Sequence, residues 1–127
     1  MKKSLSVLFI IVIVLSLTGC GGSELTASNK ALACANEAVK IGESYLSYEI
    51  TYKEASARID ELQSDMNYIH DDSDDNSPNH IADLSISSDI LALSLALTND
   101  NYNSSAGTYD EIAEVINSLK DDIKNYD

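Results

Sequence analysis

Four segments of the chain repeat apolar residues at spacings of three and four positions. The first contains Leu32, Ala35, Val39, Gly42 and Leu46, and similar spacings return at 55–69, 81–97 and 112–126. Because an α-helix turns once in about 3.6 residues, each repeat places its apolar residues on one face of a helix. Polar links separate the segments, and none of the segments alternates as a β-strand does. The spacing predicts an all-α fold, a small antiparallel helical bundle.

Two sequence patterns predict helix starts within this bundle. Thr51 with Glu54, and Thr108 with Glu111, fit the capping box, in which the two side chains satisfy each other's free backbone N–H groups. The first pattern divides 25–69 into two helices and gives a bundle of four. Without that break, 25–69 would be one long helix in a bundle of three.

The third helix should start with Ser77 as its cap and Pro78 in its first turn, and should end near Thr98. It is apolar on two stripes: Ile81, Leu84, Leu91 and Leu95 on one, and Ile86, Ile90, Leu93 and Leu97 on the other. A helix that is apolar around much of its circumference is typical of a core position. We therefore expect it to be the most buried helix.

The first residues of the chain have the pattern of a targeting segment. Lys2 and Lys3 precede a predominantly apolar run of thirteen residues, Leu5–Leu17. A membrane-spanning helix needs roughly 20 apolar residues, so the shorter run indicates a signal peptide. It ends in Leu17-Thr18-Gly19-Cys20. This sequence resembles the lipobox of bacterial lipoprotein precursors.

The lipobox resemblance implies cleavage between Gly19 and Cys20, with diacylglycerol attached to the Cys20 thiol and fatty acids such as palmitate as the anchor. Residues 1–19 would be the signal peptide, 20–24 the lipidated cysteine with a flexible spacer, and 25–127 the acidic helical domain. The protein would lie on the extracytoplasmic face of the cell membrane, held by lipid alone. The simpler alternative is an ordinary secretory signal that contains a cysteine.

The charge of the chain restricts its partners. Residues 1–19 contain two of the eight lysines and arginines, so the mature chain would carry six basic residues against all 21 acidic ones, a formal charge of −15. Such a domain is repelled by phosphate, which excludes nucleic acid as a natural partner and favours a basic protein or peptide. Cys34 would be the one free thiol, and we expect it to be a small buried apolar residue.

The acidic stretch between the second and third helices is a candidate cation site. Four of its oxygen-bearing residues have an EF-hand-like spacing, although Ser77 and Pro78 depart from that motif, and two histidines could contribute to a zinc site. The candidate ligands for calcium or zinc are His70, Asp72, Asp74, Asn76, His80 and Asp83. A solvated, self-repelling loop is the simpler interpretation.

Tyr45, Tyr48 and Tyr52 lie three and four residues apart, where they could form a patch that binds a partner; packing at the rim of the core is the simpler alternative. The chain contains neither a glycine-rich phosphate loop nor a G-x-S-x-G motif, so we predict no catalytic residues and no enzyme. The favoured hypothesis is an envelope protein-interaction module with an acidic surface. The alternatives are a divalent-cation-binding protein and an accessory subunit of an envelope enzyme or transporter.

Overall fold

The structure, a computed structural model, describes residues 25–72 and 79–127. These residues form four helices, α1 (Asn29–Leu46), α2 (Tyr52–Asp72), α3 (His80–Asn103) and α4 (Ala106–Tyr126), and no strand. The predicted all-α bundle is confirmed. Each helix packs on the next, α4 returns to α1, and α1 also reaches α3 across the bundle.

Small residues allow α1 to approach two helices at once. Its core face contains Ala31, Ala35 and Ala38, each with no exposed surface. A Cβ atom added at Gly42 would lie only 2.7 Å from Ile116 Cδ1 of α4 and 3.6 Å from Leu93 Cδ1 of α3. Any larger side chain at position 42 would therefore have to displace the core.

The predicted break between the first two helices is confirmed. The backbone N–H of Thr51 donates to Glu54 Oε2 at 2.8 Å, and the N–H of Glu54 donates to Thr51 Oγ1 at 3.3 Å. The Thr51 N–H, together with the Thr51 hydroxyl that donates to the same Oε2 at 2.8 Å, favours the ionised carboxylate and lowers the pKa of Glu54. The chain therefore turns between α1 and α2, and the alternative of one long helix is wrong.

Two predicted boundaries are wrong at the other link. α3 continues beyond Thr98 to Asn103, and α4 begins at Ala106 with Ser105 as its cap. Thr108 lies at the third helical position, where its hydroxyl accepts the Ser105 N–H at 3.0 Å. The capping box therefore lies three residues earlier than predicted.

The start predicted at Ser77 and Pro78 lies outside the described residues; the described helix α3 begins at His80, after Asn79. The first helix, expected from about residue 25, begins at Asn29 behind its cap Ser28.

The two apolar stripes of α3 have different environments. One stripe is 0–1% exposed and lies in the core: Ile86, Ile90, Leu93 and Leu97. The other faces outward, with exposed fractions between 41% and 63%: Ile81, Leu84, Leu91 and Leu95. α3 has eight buried residues, against seven in α1 and four in α4, but its second apolar stripe is exposed because its three neighbours cover only one side. In the described part of the chain, α3 alone is long and apolar enough to cross a membrane, by length and composition.

The segment before α1 closes one end of the bundle. The Ser28 N–H donates to Asp83 Oδ1 at 2.7 Å, and the Ala27 N–H donates to the Tyr126 carbonyl at 3.0 Å. Thr26 Oγ1 donates to Asn79 Oδ1 at 3.1 Å. We call this the N-terminal end. The α1–α2 turn and the α3–α4 link lie at the opposite end, which we call the tyrosine end.

Candidate functional site

The tyrosine end contains a cavity of about 310 Å³ lined mostly by aromatic side chains. Tyr45 comes from the last turn of α1, Tyr48 from the turn and Tyr52 from the start of α2. Tyr109 reaches the same cavity from the first turns of α4. The structure thus brings together the three tyrosines singled out by their spacing and adds a fourth from a distant part of the sequence.

Tyr48 has an unusual backbone conformation. Its φ of 59° lies in the left-handed region, which glycine usually occupies when a chain leaves a helix. The exit is closed by the Glu49 N–H, which donates to the Ser44 carbonyl at 2.9 Å. A side chain at such a position costs about 1–2 kcal/mol relative to the right-handed conformation. The Tyr48 side chain is nevertheless 79% exposed, so core packing does not explain the choice of tyrosine.

The exposed Tyr48 ring lies beside Tyr109. Their ring centroids are 6.0 Å apart and the planes are tilted by 42°. This geometry is typical of a favourable aromatic pair. A hydrogen bond with Tyr48 raises the pKa of Tyr109 to about 12, with partial desolvation as a second cause. Tyr109 is therefore protonated at neutral pH, and the two residues present ring faces and hydroxyl groups to a ligand.

Tyr45 is held by a buried carboxylate. Its hydroxyl donates to Asp100 Oδ2 at 2.6 Å, and the Thr108 hydroxyl donates to Asp100 Oδ1. Asp100 is 2% exposed. Burial, followed by the hydrogen bond to Asp100, raises the pKa of Tyr45 far above its ordinary value. The network joins α1, α3 and α4 directly beneath the cavity.

Tyr52 is fixed from the other side. Its hydroxyl lies 3.4 Å from Thr98 Oγ1 on α3. The Thr98 hydroxyl donates to the Ser94 carbonyl at 2.9 Å, which leaves Tyr52 as the donor to Thr98. Tyr45 and Tyr52 are therefore the walls of the cavity that are hydrogen-bonded to α3, and Tyr48 is its exposed member.

The remaining lining residues give the cavity an acidic character. Glu49, Ile50 and Thr51 complete the lining, which contains no lysine or arginine among the described residues. Aromatic faces attract cations, and a carboxylate at the rim strengthens that preference. The arrangement can hold a lysine or arginine side chain by contact with tyrosine rings.

The spacing of residues in the sequence did not identify two residues of this site, Asp100 and Tyr109. Asp100 lay in a stretch interpreted as a polar link, although it continues the buried spacing of Leu93 and Leu97 by three further positions. That regular spacing could have identified it as an inward-facing residue. Tyr109 carries no comparable signal, because only the packing of α4 on α1 brings it near Tyr48.

The candidate cation ligands are only partly described. Asp74 and Asn76, and the side chains of His70 and Asp72, lie outside the described residues. His80 is half-buried at the start of α3, and Asp83 is 8% exposed and accepts the Ser28 N–H. Within 25–72 and 79–127, no group of three or more His, Cys, Asp or Glu side chains is arranged to hold a metal ion. A calcium or zinc site stays a prediction.

Cys34 is buried, as predicted. It borders a second cavity, of about 360 Å³, with Lys30, Ala33, Asp65 and Tyr68. Burial, with a smaller contribution from Asp65, raises the pKa of the thiol, which is therefore protonated and a poor nucleophile at neutral pH. Gly19 and Cys20, the residues of the predicted cleavage and lipidation, lie outside the described residues.

Comparison with known proteins adds no family to these observations: no protein-family description, curated protein or solved structure matches the chain.

Proposed function

We propose that this chain is a lipid-anchored protein of the bacterial cell envelope that binds a basic segment of a partner protein at its tyrosine end. The observation that carries the proposal is Tyr48, an exposed aromatic residue in a left-handed conformation above a tyrosine-lined cavity. Strained backbone at a surface position is common where a side chain is needed for binding. The same turn with glycine would close α1 equally well and at lower cost.

The position of the cavity agrees with a tether at Cys20. The chain reaches α1 through residues 25–28 at the N-terminal end, and the cavity lies beyond the other end of α1, which has 18 residues. At 1.5 Å per residue, this helix separates the two ends by about 27 Å. An anchor at Cys20 would therefore leave the tyrosine end facing away from the membrane.

The chemistry of the partner follows from the aromatic faces and the charge. The chain has a formal charge of −13, and Glu49 borders the cavity. Negative potential speeds the approach of a cationic partner, and stacking of a cation on a tyrosine ring contributes about 0.5–2 kcal/mol once water is excluded. A lysine or arginine flanked by small residues fits these requirements.

Mapping of a peptide complex tests the binding site. A short peptide that alternates lysine and alanine would be added to the isotopically labelled chain from Gly21 onward, and the amide shifts followed by NMR. We expect the shifts to concentrate around the four cavity tyrosines. Tyr109→Ala should weaken binding about tenfold, equivalent to about 1.4 kcal/mol. Tyr68→Ala is the matched control, because Tyr68 is a 73% exposed tyrosine outside the cavity. Shifts spread evenly over the acidic surface, or equal losses in both variants, would contradict the proposal.

A separate experiment tests the anchor. Cells that produce the full chain would be fed labelled palmitate and fractionated. The wild-type chain should carry label and sediment with membranes, and Cys20→Ala should do neither, because diacylglycerol attaches to that thiol. Cys34→Ala is the control and should behave as wild type. Membrane association of Cys20→Ala equal to wild type would contradict lipid anchoring.

A further inference from the structure

The outward side of α3 is an apolar surface that the bundle does not use. Five large side chains on it have exposed fractions between 41% and 78%: Ile81, Leu84, Leu91, Leu95 and Tyr102. Together with the exposed Ser88, and with Thr98, which is half-buried beside Tyr52 at the edge of the surface, they form a series whose spacings alternate strictly between three and four residues from 81 to 102. We call these seven residues the outer α3 face. The alternation is the spacing of a coiled-coil seam, in which side chains of one helix insert between those of another.

The outer α3 face is also free of charge in a strongly acidic chain. α3 contains three aspartates, and two of them, Asp83 and Asp100, are 8% and 2% exposed. The third, Asp89, lies at the border with α4, and its Oδ2 atom is buried. With 21 acidic residues in the chain, a helix face without one is a surface where a like-charged molecule can approach without opposing carboxylates.

We propose that the outer α3 face pairs with the same face of a second copy of this chain, as a parallel two-stranded coiled coil. The coiled-coil spacing of this face and its lack of charge select this occupant. A basic partner would find no carboxylate on the face, and amphipathic helices that lie on membranes carry lysine and arginine, which this face lacks. A second copy offers an identical uncharged stripe, and a two-fold contact requires only that the surface fit itself.

The residue types agree with a parallel pair. Ile81, Ser88, Leu95 and Tyr102 occupy one seam position and Leu84, Leu91 and Thr98 the other. β-branched residues at the first position with leucine at the second favour two strands, and a polar residue in the seam fixes the register. Ile81 with Leu84 supplies the first feature in the first heptad, and Ser88 supplies a polar residue in the seam; Leu95 and Tyr102 at the first position are not β-branched. The pairing is inferred from the outer α3 face alone. The parallel direction also rests on the proposed lipid anchor, because two copies anchored in one membrane must have their N-terminal ends on the same side.

A parallel pair would place two tyrosine ends side by side, facing away from the membrane. Tyr102, which is 78% exposed, would lie in the seam close to both cavities. Two sites on one particle bind a partner with two basic segments more tightly than either site alone, because the second contact forms at high effective concentration. The paired form therefore extends the proposed function from a single peptide site to a bivalent one.

Disulfide formation between copies in intact cells tests the pairing on the full chain. Ser88→Cys would be produced with two different affinity tags in one cell and oxidised with copper phenanthroline, which accepts the two electrons as two thiols lose their protons and form one S–S bond. In a parallel pair the two residues at 88 lie opposite each other. We expect a covalent dimer that carries both tags. Ser118→Cys is the matched control, because Ser118 is an exposed serine on α4, and it should form no dimer.

A second pair of variants separates pairing from folding. Leu91→Glu with Leu95→Glu, added to Ser88→Cys, should reduce the cross-linked fraction at least tenfold, since four carboxylates would meet in one seam. Leu91 and Leu95 are 52% and 63% exposed, so the helical circular dichroism should not change. Absence of a dimer with Ser88→Cys, equal dimer with Ser118→Cys, or full cross-linking in the glutamate variant would overturn the proposal.

The direction of pairing and the anchor have separate readouts. If Ser88→Cys in one copy cross-links to Leu95→Cys in the other and not to itself, the helices are antiparallel and the parallel assignment is overturned. Adding Cys20→Ala to Ser88→Cys distinguishes failure of the anchor from failure of the pair. Cross-linking that persists in the soluble fraction would support the pairing even where membrane attachment is lost.

Discussion

Each end of the bundle is closed by a buried aspartate of α3, but the two carboxylates hold different kinds of partner. Asp83 at the N-terminal end accepts a backbone N–H from Ser28. Asp100 at the tyrosine end accepts two side-chain hydroxyls, those of Tyr45 and Thr108. Any residue other than proline can supply the first kind of donor, whereas the second requires particular side chains at particular places.

The two ends differ in whether their contacts only close the bundle or also form a candidate binding site. At the N-terminal end, a chain segment is held against α3 and α4 by two backbone N–H groups, one carboxylate and a single side-chain pair, Thr26 with Asn79. The tyrosine end adds a left-handed Tyr48, an aromatic pair and a cavity above its aspartate. These features are costly or unnecessary for folding, which is why we assign binding to this end.

The largest difference between the ends should appear when the aspartates are removed. Asp100→Ala removes the acceptor of the half-buried Tyr45 hydroxyl and one of two acceptors of the buried Thr108 hydroxyl, which also lies 2.8 Å from the Ser105 carbonyl. Each lost or weakened bond to a charged group costs about 1.5–3 kcal/mol. We expect a loss of about 3 kcal/mol or more in the free energy of unfolding, measured by urea denaturation. Asp83→Ala, which releases one backbone N–H, should lose about 1–2 kcal/mol. Equal losses, or a larger loss for Asp83→Ala, would show that the tyrosine end is no more specialised than the other.

A smaller effect should appear at alkaline pH. The bond with Tyr48 raises the pKa of Tyr109 to about 12, above the value of about 10 expected in the unfolded chain. Its contribution to stability is therefore complete below pH 10 and is lost as the pH rises towards 12, because the unfolded chain ionises first. Tyr48→Phe should return the ionisation of Tyr109 towards pH 10, observed by the ultraviolet absorbance of tyrosinate.

The control for that titration is Tyr68→Phe, which removes an exposed hydroxyl outside the cavity and should leave the late ionisation in place. If Tyr48→Phe also left it in place, the hydrogen bond between the two phenols would be refuted.

The smallest expected effect on stability concerns Asp122, which lies on α4 near the N-terminal end of the bundle. Burial, followed by the charges of Asp89 and Asp121, raises the pKa of Asp122, although the Ser85 hydroxyl donates to its Oδ2 at 3.0 Å and opposes this shift. A raised carboxyl pKa contributes stability at low pH that is lost as the pH rises through the folded value. Asp122→Asn should therefore be slightly more stable than wild type at pH 7 and equal to it in acid, as measured by thermal unfolding. A variant that is less stable at pH 7 would contradict this assignment.

Local patterns predicted the parts of the fold that depend on neighbours in sequence. The capping box at Thr51 was found because both of its bonds lie within four residues. The same pattern at Thr108 predicted the wrong start for α4. Ser105 supplies the cap three residues earlier, and the Thr108 hydroxyl donates to Asp100. A short motif cannot tell which of two adjacent caps is stabilised by a distant residue.

The outer α3 face shows a second limit of prediction from sequence. Leu91 and Leu93 are the same residue type two positions apart, yet one is 52% exposed and the other fully buried. The choice between the two stripes depends on where α1, α2 and α4 pack, which the sequence of α3 does not contain. The tyrosine site has the same limit, since Tyr45, Tyr48 and Tyr52 were visible as a local group but Tyr109 was not.

The most direct test of the account is Tyr48→Gly, with the free energy of unfolding and the affinity for the lysine–alanine peptide measured on the same preparation. Glycine relieves about 1–2 kcal/mol of left-handed strain but removes an aromatic pair with Tyr109 that contributes about 0.5–1.5 kcal/mol, so the variant should be as stable as wild type or slightly more stable. It also lacks the exposed ring, so its affinity should fall about tenfold or more. A lower affinity without a loss of stability would show that Tyr48 is kept for binding and not for folding. Unchanged affinity would contradict the tyrosine end as the binding site.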